Sequence, residues 1–189
     1  MQCCRCVLNT SIPNVTLDAS GQCNYCGIHD RIAAEYPLDG QSLGRLRAVA
    51  EQIKEAGKGK EYDCVIGVSG GCDSSYMLYL AKEVLGLRPL AFTFDNTWAS
   101  SIAVENIMAM VEKLGVDLRT YVVDGAEINA ISKSFLKASV PDADIPNDIA
   151  IAKMFYVMMD EYGVQYGLDG HSYKTEGTVP LGWTYMDGK

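Results

Sequence analysis

Apolar positions along the 189-residue chain change their spacing at two points, and each change marks a different kind of element. Leu43, Leu46, Val49, Ala50 and Ile53 recur every three or four residues, which predicts an amphipathic helix ending at Gly57. The stretch "GKGKEY", 57–62, keeps neither period and reads as a linker. From Asp63 onward, short β-rich runs alternate with longer helical ones. "CVIGV" (64–68) predicts a buried strand, "SSYMLYLAKEVLG" (74–86) a helix closed by Gly86, and "PLAFTF" (89–94) a second strand. "SSIAVENIMAMVEKLG" (100–115) sets Ile102, Ile107, Val111 and Leu114 on roughly one helical face, and "LRTYVV" (118–123) is a third strand. Helices over 125–137 and 147–162 and a short strand in "VQYGL" (164–168) complete the series. This rhythm predicts βαβ units and a parallel sheet, without internal repeats or low-complexity tracts.

Open α/β sheets hold ligands beyond the carboxyl ends of their strands, at the point where strand order reverses. The residues at those ends are chemically pointed: Ser69 to Ser75 after the first strand, Asp95 and Asn96 after the second, Asp124 after the third, Asp169 to His171 after the last. In "SGGCDSS", Gly70 and Gly71 let the backbone turn sharply, and the following helix offers free N–H groups at the positive end of its dipole. The loop lacks the lysine of a Walker motif and the spacing of a dinucleotide fingerprint. Instead it offers the hydroxyls of Ser69, Ser74 and Ser75, with Asp73 for a hydrated magnesium ion, a set suited to pyrophosphate.

Composition narrows the partners. With 48% hydrophobic residues the chain supports one main core and a small appendage. A net charge of −8, from 16 basic and 24 acidic residues, disfavours extended nucleic-acid binding. No leader-like start or long apolar run is present, which predicts a cytoplasmic protein without membrane insertion.

Five of the seven cysteines fall in the first 26 residues. Cys3/Cys6 and Cys23/Cys26 form two C-x-x-C pairs at the separation of a structural zinc site, with Asp18, Ser20 and Gly21 as turn formers between them. Unligated or redox-active thiols are the alternative. Cys4 and His29 are competing ligands, the former more simply a bystander and the latter more simply a neighbour or surface group. Cys64, inside an apolar strand, reads as a small core residue.

"SGGCDSS" resembles the S-G-G-x-D-S signature of the PP-loop ATP pyrophosphatases, an adenine nucleotide alpha hydrolase-like, Rossmann-like fold. Two longer segments, "CCRCVLNTSIPNVTLDASGQCNYC" and "GHSYKTEGTVPLGWTYMDGK", resemble the head and the G-H-S…T-E-G…W-x-Y-M-D-G-K segment of bacterial N-acetyl sugar amidotransferases within that superfamily. The resemblance runs from Met1 to Lys189 and implies a zinc knuckle over 1–40, a helix and linker over 41–61, and a nucleotide domain over 62–189 that continues beyond the chain's last residue. It also implies cytoplasmic lipopolysaccharide or O-antigen biosynthesis, in which ATP adenylates the acetamido group of a nucleotide-linked sugar and ammonia replaces the oxygen. Gly70, Gly71 and Cys72 would supply backbone donors, Ser69, Ser74 and Ser75 would hold pyrophosphate, Asp73 magnesium, and Thr93, Phe94 and Asp95 the adenosine.

Further candidates keep a solvated-loop alternative. His171 would orient substrate or phosphate, while Lys174 and Glu176 would meet triphosphate and metal. Asn147, in "PND" (146–148), faces the site or caps the next helix. Trp98 and Trp183 read as core or rim rather than as sugar platforms. Glutamine hydrolysis needs an activated cysteine beside a histidine, and the one conceivable pair, Cys72 with His171, would set a thiolate against the phosphates. Ammonia is therefore expected from a separate glutaminase subunit. The rival readings are a tRNA sulfur transferase and a non-catalytic, zinc-stapled nucleotide-binding partner.

Overall fold

A computed structural model describes residues 1–140 and 142–180. The described chain forms two compact units: Met1–Leu43 with the described residues from His171 onward, and Gly44–Gly170. Residues 171–180, grouped by sequence with the nucleotide domain, thus gather with the cysteine-rich segment.

In the larger unit, β1 (Cys64–Gly67), β2 (Pro89–Asp95), β3 (Leu118–Val122) and β4 (Gly167–Leu168) form one parallel sheet in the order β3-β2-β1-β4. The chain adds strands outward from β1 on one side, then returns to pair Val65 with Gly167 on the other. Strand order therefore reverses between β1 and β4. Alternate β1 residues explain the two layers: Cys64 and Ile66 face a core shared with helices α2 (Ser42–Ala56), α3 (Cys72–Tyr79) and α4 (Ser101–Leu114). Val65 faces the other way, with Leu90, Phe92 and the Met154 and Met158 side chains of α6 (Ile145–Glu161). Between β3 and α6 lies α5 (Gly125–Lys137), capped by Asp124, whose carboxylate accepts from the N–H groups of Ala126 and Glu127.

At the amino ends of β1 and β2, Asp63 is 2% exposed and accepts from the backbone N–H, Nε and Nη2 of Arg88. The same guanidinium donates to the carbonyls of Gly57 and Lys60, which pins the 57–62 linker against the sheet. A buried carboxylate is tolerated only with such a full set of donors.

Three expectations need correction. The helix after the glycine loop begins at Cys72, inside the "SGGCDSS" motif, and its last turn widens into a π-turn over Leu80–Val84, where Leu85 N–H reaches back to Leu80 O. Only Gly167 and Leu168 of "VQYGL" pair as strand. Asn147 does not cap α6: Asp144 holds that position, and Asn147 lies 4% exposed in the first turn. Among the described residues no helix is long and apolar enough to cross a membrane.

In the smaller unit the second C-x-x-C pair opens an unforeseen helix, α1 (Asn24–Glu35), with Cys23 as its N-cap. Cys26 is its one buried residue, too faint a stripe for periodicity to reveal.

Candidate active site and cysteine cluster

The glycine loop follows β1 at the reversal point. Gly70 has φ +76°, and a Cβ there would stand 2.3 Å from the Ala103 carbonyl oxygen at the start of α4, so backbone geometry and space both demand glycine. Asn106 Nδ2 donates to the Gly70 carbonyl at 3.1 Å and holds that approach. The N-cap of α3 is Gly71, with no side chain capping the helix, so the first-turn N–H groups are left for an anion. Asp73 stands in this turn.

The serine hydroxyls form a short network. Ser69 N–H donates to Ser74 Oγ at 3.2 Å, the two hydroxyls lie 3.2 Å apart, and Gly71 N–H reaches Ser69 Oγ at 3.4 Å. Ser75 behaves differently, since its hydroxyl donates back to the Gly71 carbonyl at 2.6 Å and so serves the helix. Cys72 donates its S–H to Asp73 Oδ1 at 3.4 Å, and the adjacent carboxylate pushes the thiol above its ordinary range. A thiolate is therefore disfavoured in the loop. Across the reversal point, the backbone of Gly170 passes so near α3 that a Cβ would meet the Ser74 nitrogen at 3.3 Å.

At the carboxyl end of β2, Thr93, Phe94 and Asp95 are partly exposed. Phe94 stacks on Tyr121 of β3, with centroids 6.3 Å apart and planes 8° from parallel. Asp95 Oδ1 accepts from Thr97 N–H at 2.8 Å, and Thr97 holds φ +69°. Asn96 bridges outward: its Nδ2 donates to Asn147 Oδ1 at 3.2 Å, and its Oδ1 accepts from Trp98 N–H. The structure thus brings Asn147 to the end of β2, while Trp98 is half exposed, at the rim.

His171, Lys174 and Glu176 lie exposed in the smaller unit, in a turn that Glu176 closes by accepting from Ser172 N–H at 2.9 Å. Trp183 lies outside the described residues.

In that unit the sulfur atoms of Cys3, Cys6, Cys23 and Cys26 lie within 4.8 Å of one another. The Cys3–Cys26 and Cys6–Cys23 separations are 4.0 and 3.6 Å, against the roughly 3.8 Å edge of a tetrahedron of thiolates 2.3 Å from zinc. Arg5 and Cys23 N–H groups point at Cys3 Sγ, and these bonds lower its pKa to about 6. This donor set fits zinc. Cys4 stays outside the cluster, its S–H on the Ser20 carbonyl, and His29 pairs with Asp30 at 3.7 Å.

A family model described as NAD synthase matches residues 45–177, more than half of the chain. The chain belongs to the NAD synthase family. It is 29% identical over 143 residues to one of the subunits of the glutamine-hydrolyzing GMP synthase of Thermoplasma acidophilum, covering 75% of this chain and 41% of that one. An uncharacterised protein of Methanocaldococcus jannaschii is 40% identical over 65 residues, 34% of this chain and 22% of that one. The chain thus spans about two fifths or less of these curated relatives. Among solved structures, the glutamine-dependent NAD+ synthetase of Acinetobacter baumannii shares the fold with a TM-score of 0.52 at 16% identity, over 86% of this chain and 31% of that one.

Within this NAD synthase fold, sequence reasoning missed the anchoring role of Asn106 and the left-handed Thr97. Neither carries a sequence signal, because both depend on what another element presents. The tight packing of Gly170 was legible only as a glycine at a strand end.

Proposed function

We propose that this chain carries the nucleotide-activating half of an amidotransferase that converts the acetamido group of a nucleotide-linked N-acetyl sugar to an acetamidino group. The observation that carries the reading is the uncapped α3 N-terminus beside Ser69, Ser74 and Asp73 at the strand-order reversal, in a chain of the NAD synthase family. The choice of sugar rests on the resemblance of the N-terminal cysteine segment and the "GHSYKTEG" stretch. Lipopolysaccharide or O-antigen synthesis in the cytoplasm is the setting that resemblance supports.

An amide is a weak electrophile and its oxygen a poor leaving group, so activation must come first. The amide oxygen attacks the α-phosphorus of ATP, forming a P–O bond as the bond to pyrophosphate breaks. Ammonia then adds to the imidate carbon, loses a proton, and AMP departs with the original oxygen. Gly70, Gly71 and Cys72 are the backbone donors for the departing pyrophosphate in this reading, and the Ser69 and Ser74 hydroxyls would exchange their mutual contact for it. Thr93, Phe94 and Asp95 hold the adenosine side. Asp73 would hold magnesium, which would neutralise phosphate charge. His171 and Lys174 are assigned to phosphate and substrate, and the four-cysteine cluster to one structural zinc ion.

The nitrogen reaches this site as ammonia made by a separate glutaminase subunit. Cys64 is fully buried, the Cys72 thiol is raised, four cysteines suit metal, and Cys4 lies in the smaller unit with its S–H on the Ser20 carbonyl. The T. acidophilum relative is itself one subunit of its enzyme. The same facts weigh against sulfur transfer to tRNA, which needs a reactive thiol. Substrate-dependent AMP and pyrophosphate release by the full-length protein, across UDP-linked acetamido sugars with ammonium or glutamine as donor, tests the reading. Turnover with one sugar and ammonium supports it; ATP cleavage indifferent to every sugar, or glutamine use without a partner, refutes it.

A further inference from the structure

Trp98 is half exposed, yet it is held by hydrogen bonds from two sides. Its indole Nε1–H donates to Asn129 Oδ1 of α5 at 3.0 Å, and its backbone N–H donates to Asn96 Oδ1 at 3.0 Å. Each brace is itself held: Asn129 Nδ2 donates to the Gly125 carbonyl, and Asn96 Nδ2 to the buried Asn147, which in turn donates to Asp144 at 2.6 Å. Thr97, one residue earlier, adopts a left-handed backbone unfavourable for a β-branched residue, fixed by Asp95 and by close packing on Gly125.

A tryptophan loses apolar burial by remaining in water, and a strained residue beside it adds a further penalty. Three elements nevertheless cooperate to hold this ring outward. The carboxamides that brace it make their hydrogen bonds within the protein, so the feature left to a ligand is the flat, electron-rich face of the indole. The 96–99 segment runs from the end of β2 to α4, whose first turn touches Gly70. A nucleoside attached to a phosphate chain at the loop is a planar group of the right chemistry nearby.

We infer that Trp98 is a preorganised stacking platform for the base of a bound nucleotide. Adenine of ATP and the base of a nucleotide-linked acceptor share this chemistry, and the second source rests on the function proposed above. Preorganisation matters because a fixed ring loses no side-chain freedom on binding.

The test is calorimetry on the full-length protein with the ATP analogue adenosine 5′-(β,γ-imido)triphosphate and with UDP-N-acetylglucosamine, each alone, using wild type, Trp98→Ala and Trp98→Phe. For one nucleotide, Trp98→Ala should weaken binding about 5- to 100-fold, the range of one base–aromatic stack, and Trp98→Phe should restore most of it. That nucleotide should also quench a component of tryptophan fluorescence that Trp98→Phe lacks, a readout a merely structural role would not give. Loss confined to the ATP analogue assigns the platform to adenine; loss confined to the UDP-sugar assigns it to the acceptor. Binding of both within twofold of wild type in Trp98→Ala overturns the inference. If wild type binds the ATP analogue but no UDP-sugar, the acceptor reading fails and the platform is judged on the ATP arm. If it binds neither, both fall.

Discussion

The carbonyl of Gly70 accepts a hydrogen bond from Asn106, 36 positions later, while the Cα of Gly70 lies against the Ala103 carbonyl. The glycine loop is thereby built onto α4 and depends on one missing methyl group. Gly70→Ala should combine the penalty of a left-handed alanine with steric overlap, about 2–5 kcal/mol in all. Thermal melting should fall by roughly 5–15 °C, with nucleotide binding lost. Gly170→Ala, whose Cβ would meet Ser74 N at 3.3 Å and ask a small shift of α3 but no left-handed backbone, should be milder.

Asp73 is exposed in the first turn of α3 and contributes little to the fold beyond a favourable place on the helix dipole, about 0.3–1 kcal/mol. Its replacement should separate chemistry from stability. For Asp73→Ala we expect pyrophosphate release to drop on the order of a hundredfold with little change in melting temperature. An unaltered rate removes Asp73 from the site.

Metal analysis of protein purified without chelators should give one zinc ion per chain. Chelation, or Cys23→Ser, should loosen the N-terminal unit because binding energy of a structural zinc is folding energy. Amide exchange over 1–35 should rise sharply, while the 64–95 amides remain protected. Zinc-free protein with the same protection in both regions would refute the assignment.

Cys64 is fully buried in β1, and burial pushes its thiol up to about 12. Folding therefore favours the neutral thiol: this contribution is complete below the unfolded thiol's pKa near 8.5 and is lost as pH rises towards 12. With zinc bound, exposed Cys4 should react with a disulfide reagent at pH 8 well ahead of Cys72, whose thiol Asp73 raises, and Cys64 only on unfolding. Rapid native labelling of Cys64 contradicts the burial.

The glycine loop and strand rhythm were legible because their causes are local. A buried β run such as Cys64 to Gly67 must be apolar, and a turn like that at Gly70 requires glycine. Helix α1 was invisible because it buries little besides Cys26, and its order comes from a cysteine cluster rather than an apolar stripe. Asn147 kept two readings, helix cap or site-facing residue, because asparagine favours both caps and loops; Asp144 took the cap and Asn147 turned to Asn96. The braces of Trp98 come from residues 96 and 129, a pairing that only the assembled sheet creates.

The order in which strands join the sheet has a consequence for biosynthesis. A ribosome exposes β1, the glycine loop, β2 and β3 well before β4, and Val65 meets Gly167 only after about a hundred further residues. Until then the loop has a wall on the α4 side and none opposite, where Gly170 will pack against Ser74. A nascent chain halted before Gly167 would carry the entire motif and still lack the backbone wall that Gly170 sets against α3.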